Sequence, residues 1–397
     1  MPAGIQTSNM SNPPISRRRQ LRTLRPVPGL AELEIYPCEP GAASWPARQG
    51  LVDLASNDYL GLSRHPEVLK AATEALLLDG AGAGGSRLVT GNRPVHDMLE
   101  KDLSTFLGRE RVLLFPSGFQ ANLAAVLALA DRHTIVMADR LVHHSLLQGV
   151  RASGARLQRF SHNNLQDLDH RLHAISSSVD VSRLVISESL FSMEGTSPTI
   201  DELAAICQDH NARLLLDEAH ALGILGPGGR GLAFGFDKES ITMISGTFGK
   251  AFGSGGAFLA CDSVLGEKLL QTSGAFRYTT ALAPPLAAAA YASLKLIQSH
   301  PDWGKQLLTR SMDWRNSLQQ AGWPSPPGQA HILPLILGED DLALSMQEHL
   351  ENAGLLTVAI RPPTVPEGTS RLRLTLRRDQ PENLLAHLLH ALKIRPS

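Results

Sequence analysis

Six short apolar runs, each cut off by a polar residue or a glycine, constrain this chain more than any other feature: RVLLF, TIVMAD, RLVISE, RLLLDE, ITMISG and GAFLAC. Helical patterns such as FQANLAAVLALA and IDELAAICQDHN lie between most of them. Apolar runs of this length read as strands buried on both faces. Strands of that kind alternating with helices give a mainly parallel sheet covered by helices, an α/β class. Ligands of such sheets sit beyond the carboxyl ends of the strands, so the residues following each run are the place to search for chemistry.

Beyond ALAPPLAAAAYASLKLIQ the character changes. Long helical patterns at 303–322, 341–354 and 382–393 surround HILPLILG, LTVAI and RLRLTLR, a smaller α+β arrangement. The alternation Arg371, Leu372, Arg373, Leu374 reads as a strand with one buried and one wet face. The expected organisation is an N-terminal segment (1–56) packing with the small domain, a large domain (57–283) and a small C-terminal domain (284–397). The opening MPAGIQTSNMSNPPISRRRQ is rich in Ser, Pro and Arg and has no acidic residue before Glu32. That composition suits either a transit peptide or a frayed tail leading into a basic segment.

Charge narrows the function. Thirty-seven basic residues nearly balance 38 acidic ones, so no basic field marks a polyanionic partner. Cys38, Cys207 and Cys261 are far apart and lack metal-ligand spacing, which fits a reducing cytoplasm and no metal site. No apolar run is long enough to span a bilayer.

Asp217-Glu218-Ala219-His220 ends the RLLLDE run and admits two readings. A DEAH-type nucleotide site would also need a glycine loop ending Gly-Lys-Ser/Thr. Neither GAGAGGSRLVTGN nor GTFGKAFG supplies one, and the only candidate lysine follows the aspartate. The second reading starts from Lys250, between Phe248 and Phe252 and hemmed by Gly249 and Gly253 at the end of a buried strand. Low polarity favours the neutral amine, a nucleophile toward carbonyls. Pyridoxal phosphate chemistry requires such a lysine for a Schiff base, with an acid to keep the ring nitrogen protonated. Asp217 suits the acid, and His220 is three residues on. Ser117-Gly118-Phe119, where a strand gives way to a helix, suits either a phosphate or ordinary capping. ADRLVHHSLLQG ends another strand with two histidines, His143 and His144, either of which suits stacking on a pyridine ring.

NDYLGLSRHP, GAGAGGSRLVTGN, FPSGFQAN, ADRLVHHSLLQG, ESLFSMEGTSP, LLLDEAHALGILGPGGRG, GTFGKAFGSGGAF and AIRPPTVPEGTSRLRLTL together resemble, in order, the α-oxoamine synthases over roughly residues 22 to 393. These are fold-type I pyridoxal-phosphate enzymes, and the likeness is greatest to their biotin-pathway branch. The resemblance implies Lys250 as Schiff-base lysine and Asp217 as partner of the pyridinium nitrogen. It implies His143 as the stacking, substrate-contacting histidine, and Ser192 and His220 as neighbours of the phenolic oxygen. Gly118, Phe119 and Thr247 match cofactor positions. Thr279 and Thr280 match a segment reaching the neighbouring subunit's phosphate, which implies a homodimer. Arg22, Thr364 and Arg373 match substrate positions, Arg373 holding the amino-acid carboxylate. The implied reaction is decarboxylative condensation of L-alanine with a pimeloyl thioester of coenzyme A or a carrier protein. Sister enzymes joining glycine or serine to other acyl thioesters are the alternative. His220-Ala221-Leu222-Gly223, where many biotin-pathway members read His-Gly-Thr-Gly, leans toward those sisters; AIRPPTVPEGTSRLRLTL leans back.

Overall fold

The computed structural model describes residues 14–27, 31–36, 48–175 and 181–393. Cys38 and the first 13 residues, on which the redox and targeting readings bear, lie outside the described residues. Internal contacts group the chain into two units. The first is Met1–Ala55 with Pro334–Leu374 and Gln380–Ser397; the second is Ser56–Leu333 with Thr375–Asp379.

Strands β1 (Thr23–Pro26), β2 (Glu32–Tyr36) and β3 (Arg48–Asp53) open the first unit. The second unit begins with α1 (Pro66–Asp79) and α2 (Pro94–Leu107), each started by a proline whose missing N–H costs nothing in a first turn. An alternating series follows. It comprises β4 (Arg111–Phe115), α3 (Gly118–Leu129), β5 (Thr134–Asp139), α4 (His144–Ser153) and β6 (Arg156–Phe160). Next come α5 (Leu165–His173), β7 (Ser182–Glu188), α6 (Ile200–Asp209), β8 (Arg213–Asp217), β9 (Met243–Thr247) and β10 (Ala257–Cys261). Helices α7 (Ser263–Thr272), α8 (Gly274–Arg277), α9 (Pro284–Ser299) and α10 (Trp303–Gln320) complete the unit.

Its sheet has the order β4-β10-β9-β8-β7-β5-β6. Pairings from β9 through β6 are parallel, and only β10 runs antiparallel to its neighbours. The mainly parallel α/β sheet expected from the apolar runs is therefore present. Alternate strand residues explain why those runs are continuous. Leu113, Phe115, Val136, Ala138, Leu184, Ile186, Leu215 and Met243 share one hydrophobic core with Ala121, Ala125 and Val126 of α3 and Leu146 and Val150 of α4. Their neighbours Leu114, Met137, Val185, Leu214, Leu216 and Ile244 are equally buried. Each fully buried side chain of this kind contributes about 1.5–3 kcal/mol. Helices α3 and α4 pack so closely that a Cβ on Gly149 would lie 2.7 Å from Val126 Cβ.

Edge strand β6, sequence RLQRF, is exposed along most of its length and so carries no apolar run to announce it. The boundary expected at 283/284 falls after Leu333 instead, because α9 packs on α1 and α2. Helix α10 stays with this unit too: a Cβ on its Gly304 would lie 2.1 Å from Ile224 O.

The first unit resumes at Pro334, within β11 (Ile332–Gly338). The remaining elements are α11 (Asp340–Asn352), β12 (Leu355–Leu356), β13 (Ala359–Ile360), β14 (Ser370–Thr375, all but its last residue in this unit) and α12 (Leu384–Lys393). Here β3 pairs in parallel with β12, closing the order β1-β2-β3-β12, while β11-β14-β13 form a second small sheet. One expectation fails. All six residues of β14 are buried, Arg371 and Arg373 included, so the strand has no wet face; its central place between β11 and β13 pairs both its edges.

Candidate active site

The carboxyl ends of the second unit's strands converge on a cluster of polar side chains. Asp217 ends β8 and Glu188 ends β7, directly paired in register. Thr247 ends β9, and the turn carrying Lys250 follows it. Two buried rings, Phe248 and Phe252, anchor that turn on either side of the lysine. Gly253 closes it by donating its N–H to Lys250 O at 2.8 Å. Its φ is +57°, and a Cβ there would lie 2.1 Å from Ser63 N, so only glycine fits.

Lys250 Nζ lies 2.6 Å from His220 Nε2, and His220 Nδ1 lies 2.6 Å from Tyr59 Oη. Tyr59 is fully buried and donates to Asn57 Oδ1 at 3.1 Å. An ammonium only donates, so a protonated Lys250 makes Nε2 the acceptor and leaves the imidazole proton on Nδ1, facing the tyrosine oxygen. Nothing in the stretch NDYLGL marks Asn57 or Tyr59 for a role, since an aromatic followed by leucines reads simply as core.

Asp217 is buried and accepts from Asn122 Nδ2 at 2.7 Å and from Ala219 N–H at 2.9 Å. Its neighbour Glu218 turns the other way, accepting from Ser189 Oγ at 2.9 Å and Ala233 N–H at 2.6 Å. Burial pushes the Glu218 carboxyl up to about 7. The DEAH letters thus divide into a carboxylate facing Asn122 and a second, buried carboxyl held by Ser189 and Ala233.

His143 caps α4, its main-chain N–H donating to Glu188 Oε1 at 2.6 Å. Its Nδ1 lies 2.7 Å from Ser145 Oγ. Part of the His143 surface is exposed, yet desolvation lowers its pKa below the ordinary imidazole value. Asp217 opposes that drop, and Lys250 and His144 add to it. Burial raises the Glu188 carboxyl well above its ordinary value, and the nearby Asp217 charge adds to the rise. His144, the weaker of the two histidines, is exposed and pairs with Gln148.

Gly118 opens α3, capped by Ser117 Oγ accepting from Gln120 N–H at 3.3 Å. A Cβ on Gly118 would touch the Thr247 side chain at 3.8 Å, so helix start and strand end meet. Phe119 beside it is exposed. Ser192 is half-buried in the turn after β7 that Gly195 closes on Phe191 O. Thr279 and Thr280 sit apart, lining a surface cavity with Ser86, Leu88 and Tyr278. The remaining three residues belong to the first unit. Arg22 pairs with Glu351 Oε1 at 2.8 Å and, with Arg18, Arg361 and Thr364, lines a basic cavity of about 550 Å³. Arg373 is buried on β14, its N–H donating to Val358 O at 3.3 Å.

The family model for aminotransferases of class I and II matches residues 49–392. The chain belongs to that family. The 8-amino-7-oxononanoate synthase of Saccharophagus degradans is 40% identical over 86% of each chain. That of Cellvibrio japonicus is 42% identical over 85% of this chain and 84% of its own. Among solved structures, Sphingomonas wittichii serine palmitoyltransferase superposes with a TM-score of 0.82 at 29% identity, covering 86% of each chain. The 8-amino-7-oxononanoate synthase of Francisella tularensis gives 0.74 at 26%, covering 86% of this chain and 96% of its own. This aminotransferase-family chain is a fold-type I transferase of the 8-amino-7-oxononanoate synthase branch, and pyridoxal phosphate is its cofactor.

The second unit's residues fit that cofactor chemically. Lys250 offers an amine, and Asp217 a buried carboxylate already holding two donors. Gly118 leaves the capped start of α3 open to a phosphate.

Proposed function

We propose that the protein condenses L-alanine with a pimeloyl thioester, releasing carbon dioxide and the free thiol and yielding 8-amino-7-oxononanoate for biotin synthesis. The observation that carries this reading is the convergence of Lys250, His220 and Asp217 at neighbouring strand ends, in a chain 40% and 42% identical to enzymes of that name. In this reading Lys250 holds the cofactor covalently and Asp217 pairs with its ring nitrogen. His143 lies against the ring and the substrate, and His220 and Ser192 serve the phenolic oxygen. Gly118, Phe119 and Thr247 complete the cradle. When bound, pyridoxal phosphate supplies a sink for the electron pair released at the amino acid's α-carbon.

The side chains do the rest. With the cofactor bound, Lys250 Nζ would take the amino acid's α-proton and return it after carbon dioxide is lost. His220 Nε2 accepts from the ammonium so formed, and Tyr59 Oη holds the opposite ring nitrogen. Arg373 receives the amino-acid carboxylate through two parallel hydrogen bonds, with Arg22 and Thr364 serving the substrate. Thr279 and Thr280 serve the phosphate of a second copy, making the active unit a homodimer. The balanced charge and the absence, among the described residues, of a helix long and apolar enough to cross a membrane support a cytoplasmic setting.

Incubation with L-alanine and pimeloyl-CoA, and separately with pimeloyl carrier protein, tests the reading by mass spectrometry of the product. The expected product is the aminoketone of alanine and the pimeloyl chain. Turnover with glycine or serine and another acyl thioester, but not with alanine, assigns the chain to a sister reaction. Growth rescue of a biotin-requiring strain lacking this step is the corresponding cellular result.

A further inference from the structure

Two buried side chains that sequence reasoning passed over connect Asp217 to His143. Asn122, on α3, donates from Nδ2 to Asp217 Oδ2 at 2.7 Å and to Ser145 Oγ at 3.0 Å. Ser145, on α4, is fully buried, and its Oγ lies 2.7 Å from His143 Nδ1. An amide nitrogen carries two protons, and both are accounted for. The serine hydroxyl accepts one of them and keeps a single proton of its own. Among the described residues no acceptor for that proton is present except His143 Nδ1. The Ser145 main-chain N–H donates to the same nitrogen at 3.3 Å. Two donors therefore converge on Nδ1, and a proton there would face both.

The orientation of the amide follows from Asp217. A carboxylate only accepts, so the NH₂ end of Asn122 must face it. The cost is visible: Asn122 Oδ1 is buried and has no partner among the described residues. An asparagine kept with an orphaned oxygen serves as a double donor. Flipping it would set oxygen against carboxylate and remove the donor from Ser145.

We infer that Asn122 and Ser145 are positioning residues, a relay running from Asp217 that fixes His143 as the tautomer protonated on Nε2. The relay rests on the proposed placement of Asp217 and His143 for its relevance to catalysis, but not for its existence. Both ends of the cofactor site then share one proton arrangement. The carboxylate orients the amide, the amide orients the hydroxyl, and the hydroxyl leaves the outer ring nitrogen of His143 as the donor.

The test uses the full chain labelled with ring-¹⁵N histidine. Its His143 signals are identified by their loss in His143→Asn, and one- and two-bond proton–nitrogen correlations read the tautomer. An unprotonated Nδ1 with a protonated Nε2 is expected at neutral pH. Asn122→Ala and Ser145→Ala should each move the Nδ1 signal toward the averaged position of mixed tautomers. A proton on Nδ1 in the wild type overturns the inference without reference to any variant, so a variant that fails to fold leaves the test standing. Unchanged His143 signals in both folded variants overturn the relay. Borohydride labelling of a lysine other than Lys250 would overturn the cofactor placement and leave the tautomer result as it is.

Discussion

Glu218 shows how much a single strand end asks of adjacent residues. Its carboxyl, pushed up to about 7 by burial, keeps its proton in the folded chain at pH values where the unfolded chain has lost it. The stabilisation from that retained proton is complete below about pH 4.5 and is lost as pH rises toward 7. Denaturant melts across that window should show stability falling by up to about 1.4 kcal/mol per pH unit on this account. Glu218→Gln should flatten the dependence; an equal slope in the Gln variant would assign it to other groups. Arg373 carries the second prediction at this scale. Loss of one charge-assisted hydrogen bond to a carboxylate costs about 1.5 kcal/mol, so Arg373→Lys should weaken L-alanine binding about tenfold or more. Spectral titration of the cofactor band measures it, and the cofactor's own attachment should be unaffected. An unchanged alanine dissociation constant would leave Arg373 as a buried structural residue of β14.

Elements were legible in the sequence where burial imposes a pattern. The runs TIVMAD, RLVISE and RLLLDE became β5, β7 and β8 because both faces of each strand meet helices. Edge strand β6 meets helices less completely, and its polar sequence gave no sign. β14 misled in the opposite sense, since alternation normally means a wet face and here both faces are buried. Lys250, Asp217, His220 and His143 stood out because their chemistry is unusual after a strand. Asn122 and Ser145 did not: each is a small polar residue in a helix, and its purpose depends on a partner from another element. Helix contact gives a prediction of its own. Gly149→Ala places a methyl 2.7 Å from Val126 Cβ, and overpacking of this kind costs about 1–3 kcal/mol. Adding Val126→Ala should recover part of that loss in a thermal melt; simple additivity of the two would mean the helices separate without strain.

At the scale of the whole molecule, the surface segment bearing Thr279 and Thr280 sets the proposed assembly to work. If these threonines serve a second copy, mixing Lys250→Ala chains with Thr279→Ala/Thr280→Ala chains should create some sites with neither defect. Activity should rise above that of either parent once subunits exchange. No rise after demonstrated exchange would confine each site to one chain. The order of synthesis matters at this scale as well. In the first unit, Val52 of β3 takes Leu355 of β12 as its partner, roughly three hundred residues later in the chain. A ribosome adding 5–20 residues per second needs about 15–60 s to cover that distance. Throughout that interval β3 has one unpaired edge outside the exit tunnel, while everything needed for the seven-stranded sheet emerges in a single stretch. The first unit is thus among the last parts to be completed, and the open edge of β3 is where a chaperone would have most to shield.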